Sequence, residues 1–208
     1  GDVEAMTQLL DGGAAVDKVA LFVTCEHGHV DVARLLLERG AEVDRGKENG
    51  RTPLHIACEK GHVEAARLVL DKGAAVDRAE KDGMTPLYVA CEKGHVDAAR
   101  LLLDKGAEVD RARKCGIWYW RTPLWIACEE NHIDVARLLL NKGAEVDKAN
   151  EWDGTPLYVA CSRGHVDAAR LLLDKGAAVD RPRDDGTTPL YVACQQGHVD
   201  AVRLLLDK

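Results

Sequence analysis

The chain has 208 residues, 46% of them hydrophobic and 30% charged, with a formal net charge of −7 at pH 7. The acidic balance disfavours nucleic acid and anionic membrane surfaces as partners and mildly favours basic ones. No apolar run is long enough to cross a bilayer, and no signal-peptide pattern stands at Gly1.

The first stretch, GDVEAMTQLLDGGAAVD at residues 1–17, aligns with GHVEAARLVLDKGAAVD from Gly61. It carries the second half of a unit without the first. From Asp17 to Cys25 the interval is 8 residues, against 14 from Asp77 to Cys91. The shortfall is a loop tip with its Asp-Gly turn and the Thr-Pro that starts a helix. Disorder concentrates at such tips, so we read it as a tip missing from the recorded sequence in preference to a truly short loop.

The complete unit is plainest at residues 85–110, TPLYVACEKGHVDAARLLLDKGAEVD, and it returns at Thr52, Thr122, Thr155 and Thr188. The steps Thr52–Thr85, Thr122–Thr155 and Thr155–Thr188 are 33 residues; Thr85–Thr122 alone is 37. A fixed period of this size marks a solenoid. Within the unit, Thr85 before Pro86 is a helix start, a hydroxyl N-cap followed by a residue whose missing N–H is no loss in the first turn. Leu87, Ala90 and Cys91 share one face at helical spacing, and Gly94 stops the helix. In the fourth repeat the stop is Asn131, the other residue that tolerates a left-handed backbone. A second helix, Val96 to Asp104, is apolar but for a stripe of Asp97, Arg100 and Asp104, so it needs covering on several sides. Gly106 closes it, and an extended hairpin with a turn at Asp82–Gly83 joins one unit to the next.

The fourth and fifth repeats depart from this pattern. Where the third has Gly83-Met84-Thr85, the fourth has Gly116-Ile117-Trp118-Tyr119-Trp120-Arg121-Thr122, four residues longer. Trp125 replaces the Tyr or His that elsewhere follows Thr-Pro-Leu. In the fifth, Trp152 stands where Asp82 stands in the third, and its Asp153–Gly154 pair comes one residue late.

The pattern TPLxxAxxxGHxxxxxLLLxxGAxVD resembles the ankyrin repeat and covers essentially the whole chain. The resemblance implies an all-α ankyrin-repeat solenoid, stacked helix-turn-helix units with projecting β-hairpin fingers and a concave groove between fingers and first helices. We expect one array over 1–208: a partial repeat at 1–18, then repeats at 19–45, 46–78, 79–111, 112–148, 149–181 and 182–208. Neither end has a divergent polar cap, which suggests a segment of a longer array.

Cys25, Cys58, Cys91, Cys128, Cys161 and Cys194 share one repeat position at the buried end of the first helix. Copies on neighbouring packed helices lie about 10 Å apart, too far for a disulfide. Each is followed four residues on by His, but cysteine as a small core residue and histidine as a hydrogen-bonding group at the helix junction explain the spacing without a metal. We expect no metal and no cofactor. So many thiols suit a reducing, intracellular compartment, the cytoplasm before the nucleus. Cys115 lies outside the series.

The second helices barely vary between repeats, while the loop tips and the ends of the first helices vary freely. A constant frame with a variable face is what a binding scaffold has. All four tryptophans fall within 35 residues of a chain that is 4% aromatic, and Trp and Tyr are enriched in interface hot spots. The candidate partner-binding residues are therefore Ile117, Trp118, Tyr119, Trp120, Trp125 and Trp152, with Met84, Glu92, Lys93, Glu129, Glu130 and Arg163 at exposed positions beside them. The opposing reading has the insert folding back on Trp125 and Trp152 as a small satellite core.

The expected partner is a protein or peptide, with self-association through the insert or the ends left open. No catalytic motif is present, and Asp, His and Cys recur with the framework period instead of converging on one cleft, so no catalytic residue is assigned. Three alternatives are weighed. An engineered ankyrin binder fits the regularity, whereas scattered Asp/Glu and Lys/Arg interchanges fit natural duplication. A purely structural spacer would lack the aromatic cluster. Some ankyrin domains attached to lysine methyltransferases hold methyl-lysine in a tryptophan cage. Their tryptophans stand directly before Thr-Pro and two residues beyond the following Leu, where this chain has Arg121 and Ile126, so the register differs.

Overall fold

In the computed structural model, residues 19–114, 120–152 and 154–208 are described. The chain forms two compact units, Gly1–Ala107 and Glu108–Lys208. The first holds α1 (Ala20–Glu26), α2 (Val30–Glu38), α3 (Pro53–Lys60), α4 (Val63–Asp71), α5 (Pro86–Glu92) and α6 (Val96–Asp104). The second holds a strand pair, β1 (Arg113–Lys114) and β2 (Trp120–Arg121), then α7 (Pro123–Glu129), α8 (Ile133–Asn141), α9 (Pro156–Arg163), α10 (Val166–Asp174), α11 (Pro189–Gln196) and α12 (Val199–Leu206). In each unit the helices pair in sequence, first helices stack on first helices, and second helices stack more loosely on second helices.

The helix starts are those the Thr-Pro pairs predict. Thr85, Thr122, Thr155 and Thr188 each accept a hydrogen bond from the third helical N–H, at 3.1–3.2 Å. Such a cap contributes about 1 kcal/mol. Among the first helices described, α1, which lacks the Thr-Pro, is the one that begins without a side-chain cap, at Val19.

The turn between paired helices explains the Gly-His dipeptide. Gly61 has φ +71°, and a Cβ there would stand 2.7 Å from His95 Nδ1 of the next repeat. His95 Nε2 donates to Glu59 O at 2.9 Å, and His165 and His198 repeat the bond to Glu129 O and Ser162 O. At these three positions histidine ties a turn to the one before it. Asn131, at φ 59°, is the one described residue other than glycine with positive φ, so asparagine does serve as the stop in the fourth repeat.

The core is a column of small and branched side chains. Leu87, Ala90, Cys91, Ala99 and Leu102 are fully buried in the third repeat. The second helices are less enclosed than their composition suggests: Val96 and Leu103 stay half-buried, and cover comes mainly on one face. Five of the six repeat-position cysteines are buried, and burial pushes Cys25, Cys128 and Cys161 up to about 12 and raises Cys58 and Cys91 likewise. Cys194 breaks the expectation and is exposed.

The fingers are joined by backbone pairs such as Glu80 N–H to Met84 O, 3.0 Å, around Gly83 at φ +76°. In the fourth repeat the insert lengthens this link into β1–β2, with Arg113 opposite Arg121 and Lys114 opposite Trp120. The fifth-repeat tip is built differently from its Asp-Gly reading. Asn150 Oδ1 accepts from Trp152 N–H at 3.1 Å and from Gly154 N–H at 2.8 Å, an Asx turn that needs no left-handed glycine.

Candidate functional site

In the second unit the hairpin and the first helices frame an open cleft of about 340 Å³. Its floor follows from one repeat position. The side chain after Thr-Pro-Leu reaches across to the residue just before the next Thr. Trp125, 6% exposed, donates its indole N–H to Gly154 O at 3.1 Å. Tyr158 places its hydroxyl 3.3 Å from Thr187 Oγ1. In the first unit His55 does the same with Met84 O, at 3.1 Å. Trp125 is thus a strut between repeats with one edge in the cleft.

The walls are cationic. The guanidinium of Arg121 lies 4.3 Å from the Trp125 ring, and that of Arg183 lies 5.1 Å from the Tyr158 ring. Between them Glu129 receives Arg121 at 2.9 Å on one oxygen and Arg163 at 2.7 Å on the other. The position of Glu129 corrects the expectation that it is an exposed contact. It is 9% exposed, drawn inward because two charged donors replace the water it loses. Arg51 and Glu59 form the matching pair in the first unit.

The remaining predicted residues divide. Trp120 is 51% exposed, with its backbone N–H held by Glu151 Oε2 at 2.7 Å. Trp152 is half-buried on the cleft wall, and its carbonyl accepts from Asp184 N–H at 3.3 Å. Arg163 lines the cleft with its side chain 57% exposed, and Glu130, next to Glu129 in sequence, is exposed. Met84 and Glu92 are half-buried and Lys93 is exposed; all three lie in the first unit, where Lys93 Nζ sits 3.3 Å from the Glu92 carboxylate. Ile117, Trp118 and Tyr119 fall outside the described residues.

Arg121, Tyr158 and Arg183 line the cleft but were not among the expected residues. A signal for one of them exists in the sequence. The run R-T-P-L-x-I-A-C-E occurs at Arg51 and at Arg121, with the Glu eight residues after the Arg, about two helical turns once the cap is passed. Among the described residues no group of three or more His, Cys, Asp or Glu side chains is placed to hold a metal.

Capped helix pairs, Gly-His turns and finger hairpins define a repeat solenoid of the kind that serves as a protein-interaction module. The chain belongs to the ankyrin-repeat family: the family model described as ankyrin repeats (3 copies) matches residues 1–80, 21–113, 75–150 and 146–208. Among solved structures it is similar to the human ASB11 ankyrin repeat domain, at 32% identity over 90% of this chain and 82% of that one, with a TM-score of 0.82. No similar sequence was found among curated proteins. No helix among the described residues is long and apolar enough to cross a membrane.

Proposed function

We propose that this chain is a non-catalytic scaffold that binds a protein or peptide through the second-unit surface formed by Trp120, Trp152 and Arg163. The observation that carries the reading is the exposure of Trp120. A half-exposed tryptophan on a hairpin beside an open cleft is a large apolar surface in water, and such surfaces usually serve contacts. The repeats 112–148 and 149–181, taken as units of one array, supply this face.

The aromatic-cage reading is less well supported by the geometry. A methylated ammonium needs open ring faces, and the faces of Trp125 and Tyr158 already carry Arg121 and Arg183. Self-association through Trp120 is distinguished by sedimentation: a monomer over a wide concentration range removes it.

The test is recovery of partners by the immobilised chain, compared with Trp120→Ala and with Arg170→Ala on the second-helix surface. Loss of the same partners with Trp120→Ala alone supports the assignment. Equal recovery from both variants contradicts it.

A further inference from the structure

The cleft has a chemistry that opposes the charge of the whole chain. Its lining includes Arg121, Arg163 and Arg183 and a single carboxylate, Glu129. Asp185 approaches Arg183 at 3.5 Å but has a side chain 54% exposed, where water screens the pair. Counting Asp185 as well, arginines still outnumber carboxylates, in a protein of net charge −7. Glu151, another nearby acid, is turned to Trp120 N–H. We infer that this cleft takes the anionic side chain of a bound peptide, a carboxylate or a phosphoryl group, between Arg163 and Arg183. The inference rests on the binding surface proposed above and names its ligand chemistry.

Three features make the set suited to an anion. Arg121 and Arg183 lie against aromatic rings, which restrains the guanidiniums. Arg183 is further steadied by Nη1 donating to Tyr158 Oη at 3.3 Å and Nε to Trp152 O at 3.4 Å. Arg163 is anchored to Glu129 through one terminal nitrogen, with over half its side chain exposed, so a second acceptor has access to the guanidinium fork. Ser162 stands where Glu26, Glu59, Glu92 and Glu129 stand in other repeats, and lines the cleft without adding negative charge. The fifth repeat thus lacks the acid that the fourth commits to Arg121 and Arg163.

The probe is an arrayed library of random dodecapeptides, acetylated and amidated so that no terminal charge contributes, screened against the whole chain at 50 mM and 300 mM salt. Retained peptides are expected to be enriched in Asp and Glu. Replacing the key acid by Gln should weaken binding at least tenfold, as should Arg163→Ala and, separately, Arg183→Gln. Phosphoserine in place of that acid separates the two anions: a tenfold gain assigns the phosphoryl group, a loss the carboxylate. Retention of lysine-rich peptides, or acidic peptides indifferent to both arginine variants, overturns the inference. Peptides lost with Trp120→Ala but indifferent to their own acids leave the surface standing and sink the anion site. Peptides indifferent to every variant sink both. Circular dichroism of each arginine variant, expected unchanged because both side chains sit at the surface of the cleft, excludes unfolding as the cause.

Discussion

Trp125 and Gly154 are joined by an indole N–H to carbonyl bond of 3.1 Å across 29 residues of sequence, which makes the most buried of the described tryptophans a tie between consecutive repeats. Its neighbour Trp120, five residues earlier, has half its surface in water. Two tryptophans of one cluster thus have opposite duties. Trp125→Ala should destabilise the fold by about 3–5 kcal/mol, the range for removing a buried large aromatic. Trp120→Ala should stay within about 0.5 kcal/mol of the parent. Urea unfolding of the two variants checks the contrast, and similar losses would contradict it.

His55 is the pH-sensitive member of the same strut position. Its Nδ1 accepts from Thr52 N–H at 3.2 Å and its Nε2 donates to Met84 O, so the buried ring is a neutral tautomer with both nitrogens in use. Burial pushes its pKa down from 6.5 to about 4, against the opposing Met84 hydrogen bond. The unfolded chain therefore takes a proton first. Its contribution to stability is whole above pH 6.5 and is lost as pH falls toward 4, by roughly 3 kcal/mol in all. His55→Tyr, which borrows the residue found at this position in the third repeat, should flatten the dependence of the urea midpoint between pH 7 and pH 4.

The repeat cysteines differ in reach. In the native protein at neutral pH, iodoacetamide should modify Cys194 and leave Cys58, Cys91 and Cys128 untouched until denaturant is added, because the latter are buried and remain thiols. Mass spectrometry of tryptic peptides reads the order. Native labelling of Cys91 at the rate of Cys194 would contradict the packing.

Asn131 holds a left-handed conformation that glycine supplies at the other described turns of this kind. Asn131→Gly should relieve that backbone and raise stability by about 0.5–1 kcal/mol. The converse change, Gly61→Ala, should be costly, since φ is +71° and the new methyl meets the His95 ring. Thermal unfolding of the pair checks both signs.

Much of this was legible in the sequence, for a physical reason. Thr-Pro, the turn glycine and the Leu-rich run act within one turn of where they stand, so α6 begins at Val96 and ends at Asp104 as its sequence predicts. The cleft was less legible. Its tryptophans, Trp125 and Trp152, were found by composition and Tyr158 was not, and the partition of Trp120 from Trp125 depends on which ring reaches a carbonyl 29 residues away. The burial of Glu129 depends on two arginines, one of them 34 residues on. Net charge was a poor guide, because arginines gathered by the period outweigh locally what they do not outweigh in sum.

The most direct test of the binding surface is hydrogen exchange by mass spectrometry, with and without the most tightly retained peptide. Protection confined to 120–130, 150–163 and 183–187, with 166–174 unchanged, is the predicted result. Protection along the second helices, or none at the hairpin and cleft, would contradict the assignment.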